Sequence, residues 1–86
     1  MLTEEEKLNR MRWRSRRGML ELDLMMLPFF DEVYRTLSLN RQVAFQRLLE
    51  QEDPDLWDWF SQKGEPEDPD LRDLVRFMLA RVQPKG

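Results

Sequence analysis

The chain has 86 residues, and its 14 basic and 17 acidic side chains give it a net charge of −3. A domain of this size buries only about 60–65% of the surface of its unfolded chain, too little to build both a stabilising core and a large cofactor pocket. The sequence contains neither cysteine nor histidine, which excludes disulfides and thiol chemistry and makes zinc, haem and a histidine base poor candidates. We therefore predict one domain over residues 1–86, without a metal site and without catalytic residues.

Charge is distributed unevenly along the chain. Residues 1–20 carry six basic and three acidic side chains, whereas residues 21–86 carry eight basic and fourteen acidic ones. This asymmetry predicts a charged partner for the N-terminal segment. No apolar run approaches the roughly 20 residues of a membrane span, and the run Glu4-Glu5-Glu6 is unlike a targeting peptide. We therefore expect a cytoplasmic protein that has no membrane span.

The first predicted helix begins after Thr3, because Thr3 and Glu6 have the spacing of a capping box. It is expected to cover residues 4–17 and to end with Gly18 at its C′ position. Trp13 lies off the apolar face of this helix. It is therefore either exposed to a partner or covered by a later helix.

The second helix is predicted to begin just after Gly18 and is apolar nearly all round, which is typical of a helix in the middle of a bundle. Pro28 removes a backbone donor and crowds the preceding turn, so we expect a kink or a short break near Leu27. The residues at helical spacing along its predicted apolar stripe are Leu20, Leu24, Leu27, Val33, Tyr34 and Leu37.

The third and fourth helices have recognisable start signals. Ser38 is the expected N-cap of the third, which runs to about Gln51. Asp53 and Pro54 are expected as the N-cap and first residue of the fourth, which Gly64 closes.

The fifth helix opens with a second Asp-Pro-Asp-Leu sequence at Asp68 and is expected to end at Pro84. No alternation with a period of two residues indicates a strand. The predicted fold is all-α, a small bundle of four or five helices with short connections. The core is expected to contain Leu24, Leu27, Phe30, Val43, Leu48, Leu74, Val75 and Met78.

The segment between the first two helices has the most distinctive composition. Five arginines crowd residues 10–17, and Glu21 and Asp23 open the apolar run that follows. Arginines at the end of one helix and acids at the start of the next complement the two helix dipoles, but this does not explain their density. Arginine and tryptophan carry much of the binding energy at protein interfaces. The predicted partner-binding residues are Trp13, Arg16, Arg17, Gly18, Glu21 and Asp23.

Two other classes of function are less well supported by these residues. Glu21 and Asp23 are two positions apart on a helix and point about 200° from one another, so they do not form a catalytic carboxylate pair. Arginines beside a tryptophan can bind phosphates and stack a base. The acidic remainder of the chain and the lack of a known reader motif argue against nucleic acid as the partner.

The same segment resembles a known family, the small bacterial assembly factors that promote covalent flavin attachment to succinate dehydrogenase. The family signature Arg-Gly-x-x-Glu is matched by Arg17, Gly18 and Glu21, and the run from Arg16 to Asp23 is similar to that of bacterial members. The resemblance implies a five-helix bundle that binds the flavoprotein subunit of succinate dehydrogenase, and that of fumarate reductase, and promotes covalent attachment of FAD.

The resemblance also implies that this chain holds no cofactor stably, because FAD belongs to the client protein. The histidine that bonds to the flavin likewise belongs to the client, which agrees with the absence of histidine here. We expect a monomer. The alternative is the antitoxin half of a toxin–antitoxin pair, which has also been suggested for members of this family.

Overall fold

Helices make up the regular structure in the computed structural model, which describes residues 1–82. The elements are α1 (Glu4–Ser15), α2 (Leu20–Val33), a 3-10 turn (Tyr34–Thr36), α3 (Leu39–Leu48), α4 (Asp53–Phe60) and α5 (Pro69–Val82). No strand occurs within residues 1–82, so the predicted all-α fold is confirmed, with five α-helices. Over the same range, no helix has the length and apolar character needed to cross a membrane.

The start of α1 agrees with the prediction, but its end does not. The side chain of Thr3 accepts a hydrogen bond from the N–H of Glu6 (3.1 Å), and the Glu6 carboxylate accepts one from the N–H of Thr3 (3.2 Å). These two bonds complete the predicted capping box. The helix ends at Ser15, and Arg16 is already extended (φ −86°, ψ 110°). The prediction that Gly18 occupies the C′ position is therefore wrong, and Gly18 lies within the connection to α2.

The helix α2 continues through Pro28, so a break near Leu27 does not occur. Pro28 and Leu24 are both exposed. Water can therefore solvate the carbonyl of Leu24, whose usual hydrogen-bond donor the proline lacks.

The buried face of α2 differs from the predicted one. Leu22 and Met26 are fully buried, whereas Leu20 and Leu24 are 68% and 61% exposed. Because nearly the whole helix is apolar, its leucines alone do not distinguish its faces, and packing against α1, α4 and α5 decides which one is buried. Five of the eight predicted core residues are confirmed as buried: Phe30, Leu48, Leu74, Val75 and Met78. The prediction is wrong for Leu24 and Val43, which are exposed, and Leu27 is half-buried.

The third and fifth helices begin where the sequence predicts. The side chain of Ser38 caps α3 by accepting a hydrogen bond from the N–H of Arg41 (3.3 Å). Asp68 caps α5 by accepting bonds from the N–H groups two and three residues later (2.8 and 3.4 Å). The helix α3 ends at Leu48, before the predicted Gln51.

The start of α4 is displaced by one residue from its prediction. Glu52 is the N-cap and Asp53 is the first helical residue, which leaves the Asp53 side chain available for a contact with a distant part of the chain. In the turn that closes α4, Gln62 (φ 64°) takes the left-handed conformation in place of Gly64. Pro84, which was expected to end α5, lies outside the described residues.

Aromatic rings form the centre of the core. The rings of Phe29 and Phe45 stack with 5.6 Å between their centroids, and the centroids of Phe30 and Tyr34 are 5.1 Å apart. The hydroxyl of Tyr34 accepts a hydrogen bond from the side-chain amide of Gln46 (2.9 Å), which satisfies the one polar group of the cluster.

The helix α1 packs along α2 in the antiparallel direction. Its residue Arg12 contacts Asp31 near the end of α2, whereas Arg17, just beyond α1, contacts Asp23 near the start of α2. The connection of residues 16–19 therefore lies at one end of this helix pair, beside the first turn of α2.

Candidate partner-binding site

Arg17 is the most extensively bonded side chain of the α1–α2 connection. Its Nε donates to Asp53 Oδ1 (2.9 Å), and its Nη1 donates to the carbonyls of Leu49 (3.0 Å) and Arg14 (3.1 Å). Its Nη2 donates to the carbonyl of Gln51. The side chain is only 14% exposed, so the exposed position that we expected for Arg17 as a predicted partner-binding residue is wrong. That expectation rested on local spacing, whereas most of these partners are 32 to 36 residues away in the sequence.

The backbone of Arg17 is also held in place. Its N–H donates to Asp23 Oδ1 at 2.6 Å, so the carboxylate of Asp23 in the first turn of α2 faces the connection. Asp23 is half-buried, whereas Glu21 is exposed. The two acids that open α2 therefore differ in role, since one stabilises the connection and the other faces solvent.

Gly18 is required by the backbone conformation rather than by lack of space. Its φ is +84°, in the left-handed region that residues with a Cβ adopt only with strain. A Cβ built at this position would meet no heavy atom within 4 Å. Gly18 thus allows the chain to reverse between α1 and α2, and its open surroundings also leave the backbone accessible to a partner.

Trp13 is 72% exposed. No later helix covers it within the described residues 1–82, so its side chain is accessible to a partner. Arg12, the residue before it, reaches Asp31 on the outer side of α2. Leu20 and Leu24 are one turn apart and lie on that outward face of α2. The exposed residues around the connection are hereafter called the junction surface, defined as Trp13, Arg16, Gly18, Leu20, Glu21 and Leu24.

Sequence reasoning placed Leu20 and Leu24 in the apolar stripe of α2 and so missed them as surface residues. A signal was available, because the same side of the helix carries Pro28 and Asp31, neither of which belongs in a core. Of the predicted site residues, the structure brings Trp13, Arg16, Gly18 and Glu21 to the surface. Arg17 and Asp23 lie beneath it.

The junction surface lies apart from two clefts of the molecule. One cleft of about 440 Å³ lies between the α4–α5 connection and α5, where Trp59 and Arg72 line it. Another, of about 750 Å³, lies between the start of α1 and the residues around Tyr34. Neither includes a residue of the junction surface, and no group of acidic residues within residues 1–82 is arranged to hold a metal ion. An exposed tryptophan, two exposed leucines and exposed charges at an open surface are characteristic of protein recognition.

The chain is similar to known proteins over most of its length. The chain is 54% identical over 83 residues to the FAD assembly factor SdhE of Pseudomonas aeruginosa, an alignment that covers 96% of this chain and 99% of that protein. It is 46% identical over 77 residues to the FAD assembly factor SdhE of Yersinia pseudotuberculosis, covering 90% of this chain and 88% of that protein. The solution structure of a UPF0350 protein is similar in fold, with a TM-score of 0.74 and 42% sequence identity over 94% of this chain and 85% of the other.

A family model adds to these pairwise similarities. The family described as "Flavinator of succinate dehydrogenase" matches residues 9–82. This range begins within α1 and includes the α1–α2 connection and the helices α2 to α5. The Arg-Gly-x-x-Glu signature at Arg17, Gly18 and Glu21 lies in this range. The chain therefore belongs to the family of succinate dehydrogenase flavinators, the FAD assembly factors.

Proposed function

We propose that this chain binds the flavoprotein subunit of succinate dehydrogenase and promotes the covalent attachment of FAD to that subunit. Membership of the flavinator family and the name shared by its relatives support the assembly role. The observation that carries the binding proposal is the junction surface, which exposes Gly18 and Glu21 of the family signature together with a tryptophan and two leucines.

The junction surface has the residue types expected of a binding interface. Trp13 offers a large exposed apolar area on α1, and Leu20 and Leu24 offer a second one along one face of α2. Glu21 and Arg16 add charges of opposite sign that can pair with groups on the partner and fix its orientation. An apolar centre with a charged rim is the usual anatomy of a protein interface.

The chemistry of flavin attachment is assigned to the client in this proposal. The chain has no histidine and no cysteine, which agrees with a bond between the flavin and a residue of the partner. Binding of the assembly factor favours a conformation of the partner in which that residue and the flavin are aligned. In this proposal the factor holds no FAD of its own and acts by shaping its client.

A direct test is complex formation between purified components. We expect the chain to form a complex with the flavoprotein subunit prepared without covalent FAD, measured by size-exclusion chromatography and calorimetry. The flavoprotein subunit of fumarate reductase is a second arm, and binding is expected there as well. Failure to bind either subunit, together with tight binding to a toxin-like protein or to RNA, would overturn the proposal in favour of its alternatives.

A further inference from the structure

We infer that Arg17 positions the junction surface and does not itself contact the partner, an inference that rests on the proposed function. Arginine has five N–H donors. Four hydrogen bonds from Arg17 go to the protein itself, to Asp53 and to the carbonyls of Arg14, Leu49 and Gln51. With its side chain 14% exposed, Arg17 has little left to offer a partner.

The surroundings of Arg17 explain why the position requires arginine. Leu49 and Gln51 follow the end of α3, where helix carbonyls lack intrahelical donors and the dipole is negative. Asp53 adds a full negative charge in the first turn of α4. A guanidinium can bond to these three groups at once because its donors are spread over a planar fork. A lysine ammonium provides the same charge at a single point and cannot reach all of them.

The contacts of Arg17 connect distant parts of the molecule to the junction surface. Its side chain holds the α3–α4 connection, and its N–H is held by Asp23 in the first turn of α2. Gly18 follows directly with its left-handed backbone, and Glu21 lies in the same first turn of α2. Any displacement of Arg17 therefore changes where Gly18 and Glu21 lie relative to the rest of the surface.

A substitution at Asp53 can distinguish a positioning role of Arg17 from a direct contact between Arg17 and the partner. It lies outside the junction surface, and Asp53→Ala removes one bond to Arg17 without changing any residue of that surface. Asp55→Ala is the matched control, because Asp55 is an exposed carboxylate in the same first turn of α4. We expect Asp53→Ala and Arg17→Lys each to weaken binding of the flavoprotein subunit about tenfold (~1.4 kcal/mol). Asp55→Ala should bind as wild type does.

The double variant sharpens the test. If both residues act through one contact, Arg17→Ala with Asp53→Ala should bind no more weakly than Arg17→Ala alone. All affinities are measured at a temperature where circular dichroism shows each variant fully folded. Wild-type affinity in Asp53→Ala, or additive losses in the double variant, would overturn the inference and indicate that Arg17 contacts the partner directly.

A second measurement needs no partner. Heteronuclear ¹⁵N relaxation of the isolated chain reports the order of residues 16–19 on the ps–ns timescale. We expect these residues to lose order in Asp53→Ala and Arg17→Lys but not in Asp55→Ala, while α5 keeps its order in all three. Unchanged order would overturn the positioning role. Failure of the wild-type chain to bind the subunit would instead overturn the proposed function, so the two failures are distinguishable.

Discussion

Arg12 and Asp31 form a two-pronged ion pair that joins α1 to α2, with Nε–Oδ1 at 2.8 Å and Nη2–Oδ2 at 3.1 Å. The hydrogen bond from Arg12 is the main cause that lowers the pKa of Asp31 below the ordinary carboxyl value of 3.8. Since the folded state holds this carboxylate in its charged form, the stabilisation is complete above the ordinary pKa. It is lost as the pH falls through the lowered folded value.

The pair therefore predicts an acid-dependent difference between two variants. Arg12→Ala should have a lower melting temperature than Arg10→Ala at neutral pH, by a small amount because the pair is exposed. Arg10 is an exposed arginine on the same helix and controls for the change in net charge. The difference should disappear as the pH falls through the pKa of Asp31. Equal melting temperatures at every pH would show that the pair contributes no stability.

The two leucines Leu22 and Leu24 lie two positions apart on α2 and test which face of that helix is buried. Leu22 is fully buried and Leu24 is 61% exposed. Leu22→Ala leaves a cavity and should lower the free energy of unfolding by about 2–5 kcal/mol. Leu24→Ala should change it by no more than about 0.5 kcal/mol. Urea denaturation measures both, and similar losses would contradict the assignment of faces.

Local patterns in the sequence predict where most of these helices begin, because a cap depends on residues three positions apart. Thr3, Ser38 and Asp68 all cap helices as expected. The buried face of α2 is harder to predict, since leucines lie on both of its sides and the signal that separates them is the position of Pro28 and Asp31 on the side opposite Leu22.

At the candidate site, the role of Arg17 is not predictable from local sequence patterns. Its signature spacing to Gly18 and Glu21 locates the site correctly along the chain. Its burial depends on Asp53 and on carbonyls 32 and 34 residues away, which no local pattern reveals. The sequence thus predicts the segment, whereas the structure separates residues that form the surface from residues that hold it.

Gly18 and Gly64 form a matched pair for testing backbone strain. A Cβ would meet nothing within 4 Å at either glycine, but only Gly18 has a positive φ, of +84°. Gly18→Ala should therefore lower stability by about 1 kcal/mol or more, equivalent to a fall of roughly 4–8 °C in Tm per kcal/mol for a domain of this size. Gly64→Ala should leave Tm nearly unchanged. A Gly18→Ala variant as stable as wild type would contradict the strain argument.

Leu20 and Leu39 test whether the apolar part of the junction surface binds the client. They are the first residues of α2 and α3 and are 68% and 75% exposed, so truncation should affect stability little and to a similar extent. Only Leu20 lies in the junction surface. Leu20→Ala should weaken binding of the flavoprotein subunit by about tenfold, whereas Leu39→Ala should not, as measured by calorimetry. Equal affinities for the two variants would exclude Leu20 from the interface.

Covalent flavin in the client tests the central claim most directly. In cells that lack their own assembly factor, the fluorescence of the succinate dehydrogenase flavoprotein subunit on a denaturing gel reports only covalently bound flavin. Wild type should restore the fluorescent band, and Glu21→Ala, which removes an exposed charge of the junction surface, should restore much less while keeping its Tm. Glu67→Ala, which removes an exposed charge from the α4–α5 connection, should restore it fully. The account is contradicted if wild type fails to restore the band, or if Glu21→Ala restores it as well as Glu67→Ala does.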